Sequence, residues 1–312
     1  MRIGIIGAGG ISETHVRAAR AIAGVDVVAV HGSNRAKAAA LAASAGAVAY
    51  DELEAFLAHP MDVVAIGSPS GLHARHAGAA VRHGLHVLVE KPLDITTARI
   101  DALLDEADRA GVQVGVCFQE RLAPEMVDIK RRLDAGEIGD AVMAAGHVRW
   151  YRPPEYYRQS RWRGTRELDG GGALMNQGIH TVDLLLWLLG PVARVSGRTA
   201  RRLHEIEVED TAVALLEFES GAIGTIDATT AAFPGFPRRL EIVGTRGSLV
   251  HEDPARAAAV ADATPHQRVF QDFIEAVKNG RPPACDGREG RRSVALVEAI
   301  YRSAQNGDSQ TP

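Results

Sequence analysis

Two short stretches carry side chains suited to moving a proton and steadying a negative oxygen. The first is Glu90-Lys91-Pro92, which follows an apolar run from His86 to Val89 that reads as a strand. The carboxyl end of a parallel strand is where ligands bind, and the proline disfavours helix at Lys91. A lysine fixed there would favour an alkoxide over an alcohol. The plainer reading of this tripeptide alone is a strand end with a solvated lysine. The second stretch runs from Asp169 through Gly170-Gly171-Gly172 to Asp183. Three glycines give a side-chain-free approach to a helix start, and Asn176 and His180 then share one helical face. A neutral imidazole, with an ordinary pKa of about 6.5, suits proton exchange with a hydroxyl. A histidine on an apolar helix is, judged alone, more often a core residue. The asparagine one turn earlier and the glycine-lined entry favour a site.

A third stretch suits a cofactor. Gly7-Ala8-Gly9-Gly10-Ile11 follows the apolar run Ile3 to Ile6 and opens a helix. The first glycine permits a tight turn, and Gly9 removes a side chain where a pyrophosphate meets the backbone. The phosphates then face the helix N-terminus and its free N–H groups. Ser12 stands where a third glycine or alanine is usual, and it is still small enough for close helix–sheet packing. The adenosine ribose is read at the end of the next strand, where a carboxylate favours NAD. The chain there is His31-Gly32-Ser33-Asn34-Arg35, without a carboxylate. NAD and NADP both remain open, and Ser33, Asn34 and Arg35 incline the reading to a 2′-phosphate and NADP.

The elements that must hold these residues follow a pattern. Short apolar runs at Ile3–Ile6, Val25–Val30, Val63–Ile66, His86–Val89 and Val112–Val116 alternate with helical stretches. That predicts a parallel sheet covered on both faces, a doubly wound α/β domain over residues 1–118. Beyond it the pattern changes. A helix from Glu125 to Ala135 and a strand from Ala141 to Trp150 precede a polar, Arg-rich loop over 151–172. A helix from Ala173 to Leu189 follows, then a series of strands with turn signals at Glu219-Ser220-Gly221 and Gly244-Thr245-Arg246-Gly247. Two amphipathic helices close the chain. Residues 119–312 therefore read as an α+β domain with an open, mostly antiparallel sheet.

The chain resembles the glucose–fructose oxidoreductase / inositol dehydrogenase / rhizopine-catabolism family (Gfo/Idh/MocA). The likeness lies in Gly7-Ala8-Gly9-Gly10-Ile11, Ser68-Pro69-Ser70-Gly71-Leu72-His73, Val89-Glu90-Lys91-Pro92-Leu93 and Gly170 through Asp183. The resemblance implies a Rossmann domain, a second α+β domain and an active site between them. It implies NAD(P)-dependent oxidation or reduction of a hydroxyl-bearing carbon of a sugar, cyclitol or sugar nucleotide. Lys91 matches the family's catalytic lysine and His180 its acid/base histidine. Asn176 stands where family dehydrogenases often carry Asp; it cannot take a proton and would orient the hydroxyl or Lys91. Gly7, Gly9, Gly10, Ile11, Ser68, Pro69, His73, Glu90 and Lys91 fall in the cofactor set, His73 near the nicotinamide. An NAD-dependent glycosidase, which would release sugar without net NADH, and a non-catalytic dinucleotide-responsive protein are alternatives on the same fold. The retained Lys91 speaks against the latter.

The loop before the glycine helix carries Arg149, Arg152, Arg158, Arg161, Arg163 and Arg166 with Tyr151, Tyr156, Tyr157 and Trp162 among them. Tyr151, Arg152, Trp162 and Arg163, with Asn176, Gln177 and His180, form a candidate substrate set. An aromatic face beside a guanidinium suits a sugar bearing a phosphate or carboxylate. A solvated loop paired with Glu155, Glu167 and Asp169 is the other reading. Composition limits the rest. Thirty-five basic against 39 acidic residues give a net charge of −4, which argues against a general nucleic-acid binder. Two cysteines, Cys117 and Cys285, make neither a disulfide scaffold nor a zinc site. His73, His76 and His83 share one helix without a cysteine or paired carboxylate, so no metal is expected. The longest apolar run, Leu184 to Ala193, is too short for a bilayer span. The opening residues read directly as a strand, and the expectation is a cytoplasmic protein. The family likeness implies a homodimer or homotetramer formed through the second domain's sheet.

Overall fold

In the computed structural model, which describes residues 1–253 and 262–312, the chain divides into two units. The first takes in Met1–Leu122, and later chain up to Arg291 returns to it. Its elements are β1 (Arg2–Ile6), α1 (Gly10–Arg20), β2 (Asp26–His31), α2 (Arg35–Ala45), β3 (Val48–Tyr50) and α3 (Leu53–Leu57). They continue through β4 (Val63–Ile66), α4 (His73–Arg82), β5 (His86–Val89), α5 (Thr97–Ala110) and β6 (Val114–Val116). The six strands lie in the order β3-β2-β1-β4-β5-β6, and every neighbouring pair is parallel. This is the doubly wound order, whose direction reverses between β1 and β4. β4 is buried along its whole length, as expected of a strand covered on both faces.

Local chemistry sets the boundaries. Asn34 Oδ1 accepts the Lys37 N–H at 3.0 Å and starts the Ala-rich α2, which Gly46 ends in a left-handed conformation. The cap engages Asn34 through its Oδ1, and the side chain is exposed. β3 and α3 were not foreseen. Val48-Ala49-Tyr50 is a mostly exposed three-residue edge strand, too short to show a period.

The second unit begins at Ala123 and resumes at Arg292. It holds α6 (Pro124–Asp134), β7 (Ala141–Arg149), α7 (Glu155–Arg158), a π-helical turn over Ala173–Gly178 and α8 (Ile179–Leu189). Then come β8 (Val192–Ala200), β9 (Thr211–Phe218), β10 (Ile223–Thr229), β11 (Arg238–Gly244) and β12 (Ser248–Asp253). Its sheet runs β12-β11-β7-β10-β9-β8 and is antiparallel except for the β7–β10 pair.

Two helices finish the chain, α9 (Thr264–Asn279) and α10 (Gly287–Asn306). The sequence groups α9 with the second domain. Its Val269, Phe270, Phe273 and Ile274 instead share a core with Ile3, Ile5, Val16 and Val27 of the first unit. Linear order does not reveal a segment that returns. No helix among the described residues is long and apolar enough to cross a membrane.

Candidate active site

The glycine turn after β1 is shaped from both sides. Gly7 has φ +117°, and its N–H bonds the His31 carbonyl at 2.8 Å. A Cβ there would come within 2.6 Å of the Gly67 carbonyl and of Ser12 Oγ. Ser12 is fully buried under the turn, so a small third residue is what this packing needs. Gly9 and Gly10 face the other way: a Cβ on either would meet nothing within 4 Å. α1 starts at Gly10 with no side-chain cap, so its first N–H groups are not taken up by a capping side chain. The space beside Gly9 and Gly10 at an uncapped helix start fits the approach of a dinucleotide pyrophosphate. At the ribose end Ser33 and Arg35 are exposed, and Arg35 Nη1 lies 3.7 Å from Asp51 Oδ2.

Two strands along, the loops after β4 and β5 are tied together. His73 is buried, with Nδ1 2.7 Å from the Pro92 carbonyl and Nε2 2.8 Å from the Ser68 carbonyl. Ser68 Oγ pairs with His76 Nδ1 at 2.9 Å, and burial pushes the His76 pKa down to about 4. Pro69 leads into the short turn that begins α4, its carbonyl bonded by the Leu72 N–H at 2.9 Å.

Glu90, which the resemblance puts in the cofactor set, turns its side chain into the first unit. Its carboxylate is buried, with Oε1 2.9 Å from His15 Nε2 and 3.1 Å from His266 Nε2. Oε2 accepts the Lys91 main-chain N–H at 3.2 Å. Although burial opposes it, hydrogen bonds from the two imidazoles hold the Glu90 pKa well below the carboxylate range. Burial lowers the His15 pKa despite that partner. The pair is therefore carboxylate and neutral imidazole. Cys117 joins the group, and His15, Glu90 and Cys117 bring ligand-type atoms within 4.8 Å of one another. Burial raises the Cys117 thiol well above its usual pKa, and a hydrogen bond to Glu90 adds to this. A buried carboxylate bonded by two imidazoles suits a structural network. Sequence reasoning missed His15 and His266, which only the fold brings to Glu90.

In the second unit the segment around Asn176 and His180 is wound more widely than expected. Ala173–Gly178 forms a π-helical turn, a feature frequent at functional sites, before α8 begins at Ile179. The glycine run before it has a structural cause. A Cβ on Gly172 would lie 1.6 Å from the Glu209 carbonyl oxygen, and one on Gly171 2.2 Å from Tyr301 Oη. The approach these glycines permit is that of Glu209 and Tyr301. Glu209 is buried, and its carboxylate accepts the N–H groups of Gly172 and Leu174 and the Tyr301 hydroxyl, each at 2.9 Å. Burial raises its pKa even so. Asn176 Nδ2 donates to Asp169 Oδ1 at 2.6 Å, and Gln177 Nε2 donates to Asn176 Oδ1 at 3.2 Å. His180 is buried on the first turn of α8.

Residues 1–118 match the oxidoreductase family with an NAD-binding Rossmann fold, and residues 126–250 match the GFO/IDH/MocA C-terminal domain. The chain belongs to the Gfo/Idh/MocA oxidoreductase family. It is similar to inositol 2-dehydrogenase 2 of Saccharopolyspora erythraea, at 29% identity over 99% of this chain and 94% of that protein. It is similar to D-xylose 1-dehydrogenase (NADP(+)) 2 of Haloferax volcanii, at 29% identity over 98% of each. Among solved structures, the WlbA dehydrogenase from Bordetella pertussis in complex with NADH and UDP-GlcNAcA matches with a TM-score of 0.93. Identity there is 33%, over 100% of this chain and 97% of that one.

Beside Asn176, Asp169 supplies a buried carboxylate one hydrogen bond away. Asp169 also accepts the Gly164 N–H at 2.8 Å. Its place at the head of the glycine run was the only available signal. The substrate set is partly assembled. Arg152 and Arg163 lie over the Tyr156 ring at 5.1 and 4.4 Å, and Gln177 Nε2 donates to Tyr156 Oη at 3.3 Å. Trp162 packs against Arg163 at 5.2 Å. Tyr151 is not brought to this group; its ring packs edge-on against Phe233 at 5.1 Å.

Proposed function

We propose that this member of the family interconverts a secondary hydroxyl and a carbonyl on a sugar, cyclitol or sugar nucleotide. The bound nicotinamide dinucleotide supplies the hydride acceptor or donor. In the oxidative direction His180 takes the hydroxyl proton. The Lys91 ammonium donates to the same oxygen and favours the negative charge that develops there. Asn176, held by Asp169, orients the hydroxyl without exchanging a proton. Reduction runs these roles backwards. The observation that carries the reading is Lys91 at the carboxyl end of β5, its main-chain N–H fixed by Glu90, in the same parallel sheet as the glycine turn after β1.

For the cofactor we infer a preference for NADP, supported by Ser33 and Arg35 and by the lack of a carboxylate ending β2. The Haloferax relative is named for NADP, while the Bordetella relative was solved with NADH. The outer face of the second sheet carries exposed Met143, Val213, Leu215, Ile223 and Val250. We assign that face to a homodimer or homotetramer. A reducing cytoplasm suits the buried free thiols Cys117 and Cys285.

The test is Lys91→Ala, assayed with NAD(P) on a panel of sugars, cyclitols and sugar nucleotides. Turnover should vanish while dinucleotide affinity stays within a few-fold. Survival of kcat within a few-fold of wild type would overturn the mechanism. Sugar released without net NAD(P)H would point to the glycosidase reading instead.

A further inference from the structure

Five side chains in the second unit alternate between ring and guanidinium. Arg152 lies 5.6 Å from the Trp150 ring and 5.1 Å from Tyr156. Arg163 lies 4.4 Å from the same Tyr156 ring and 5.2 Å from the Trp162 ring. The row therefore reads Trp150, Arg152, Tyr156, Arg163, Trp162. Its central tyrosine is tied to the π-helical turn through Gln177.

The loop's arginines divide clearly. Arg149 is bonded to Asp227 at 2.6 Å, Arg158 pairs with Glu155 at 3.6 Å, and Arg166 bonds the Glu207 main-chain carbonyl at 3.3 Å. Arg161 is exposed. Arg152 and Arg163 are half-buried, and neither has a carboxylate partner among the described residues. Their Nε atoms are buried without a hydrogen-bond partner, as are Trp150 Nε1 and Gln177 Oε1 beside them. Two partly desolvated cations without an acid, held flat by rings, leave planar donor pairs that match an oxyanion.

We propose that Arg152 and Arg163 form an oxyanion-binding subsite, so that the substrate is an acidic one, bearing a carboxylate or phosphate in addition to the reacting hydroxyl. This rests on the dehydrogenase reading of the same segment and narrows it. Trp150, Tyr156 and Trp162 hold the guanidiniums in plane and shield them from water. That strengthens their bonds to an anion over those to a neutral sugar.

The test titrates the full chain, saturated with its preferred oxidised dinucleotide, with three probes by calorimetry. UDP-GlcNAcA carries a sugar carboxylate, UDP-GlcNAc replaces it with a hydroxymethyl group and keeps the diphosphate, and myo-inositol carries no charge. Tryptophan fluorescence gives a second readout, since two of the three tryptophans lie in the row. Arg152→Gln and Arg163→Gln should each weaken the acidic probe by about 10- to 100-fold, with unfolding midpoints unchanged. Arg→Lys at either position should restore part of the loss. If only UDP-GlcNAcA responds, the anion is the sugar carboxylate; if both nucleotides respond equally, it is the diphosphate. The proposal is overturned if neither nucleotide binds the wild type, if the Gln variants bind both as wild type does, or if myo-inositol binding weakens equally. Binding is read without turnover. A chain that binds these anions through the two arginines yet reduces no dinucleotide on any substrate would sink the dehydrogenase reading alone.

Discussion

His15 Nε2 lies 2.9 Å from Glu90 Oε1, and neither side chain is open to solvent. The contact joins the first helix after the cofactor turn to the residue that anchors Lys91. Removing the charge at this point leaves two imidazole donors and the Lys91 N–H competing for one amide oxygen. Glu90→Gln should therefore lower stability by about 2–3 kcal/mol, the scale of hydrogen bonds to a charged group. Urea unfolding measures it. A midpoint equal to wild type would show that the carboxylate does not hold the loop.

The same pair sets a pH dependence. The His15 pKa is lowered from its ordinary 6.5 by burial, so below pH 6.5 the unfolded chain takes up a proton that the folded chain refuses. His76, pushed down to about 4, acts in the same sense. Glu90 is held well below its ordinary 4.5, and its contribution is present above that value and lost as pH falls through the folded one. All three make the unfolded state the better proton acceptor, so stability is lost as pH is lowered. The melting temperature should decline from pH 6.5 downward and steepen below 4.5. A flat profile from pH 8 to 5 would contradict the assignment of His15 as neutral in the fold.

Glu209 and Gly172 give a third test. Gly172→Ala places a methyl group on the Glu209 carbonyl oxygen, and backbone on both sides must move. The loss should be about 3 kcal/mol or more, a strain effect of the large class. Glu209→Gln turns an NH2 toward donors and should cost about 1–3 kcal/mol. Thermal melts of the two variants check both. If Gly172→Ala melted with wild type, the glycine run would be a substrate approach after all.

How far these groups could be read in advance depended on how local they are. Gly7 to Gly10, Lys91 and His180 announce themselves because a turn, a strand end and a helix start are local events, and the alternating apolar runs gave the parallel sheet. Glu209 has no local signal: it lies in the chain before β9, and its partners at Gly172, Leu174 and Tyr301 are far away in sequence. His266 is similar, since α9 returns to a unit the chain had already left. The π-helical turn escaped because a periodicity of 3.6 fits Ala173 to Leu189 nearly as well. Asn34 carries a second local role that the sequence reading did not draw, since Asn before an Ala-rich run is also a helix cap.

The proposed preference for NADP is tested at Arg35. Its guanidinium is 87% exposed, and its pair with Asp51 is a surface contact of small worth. It can therefore turn to a 2′-phosphate at little cost. Arg35→Ala should raise the Kd for NADPH about 5- to 20-fold and leave NADH within two-fold, measured by fluorescence titration. Equal loss for both cofactors, or a wild type that prefers NADH, would make Arg35 a bystander.

The last prediction concerns the outer sheet face. Met143 and Ile223 are register partners on neighbouring strands, and Leu215 and Val250 lie on the same face with Val213. Their exposures run from 43% to 56%, high for large apolar side chains on one sheet face. Burying such a face against a second copy removes it from water, and a charge placed within it opposes that burial. Leu215→Glu, alone or with Ile223→Glu, should shift the mass measured by light scattering from a dimer or tetramer to the monomer. Since both side chains point away from the core, the far-UV spectrum should stay unchanged. A wild type that is already monomeric at micromolar concentration would remove the assignment of this face.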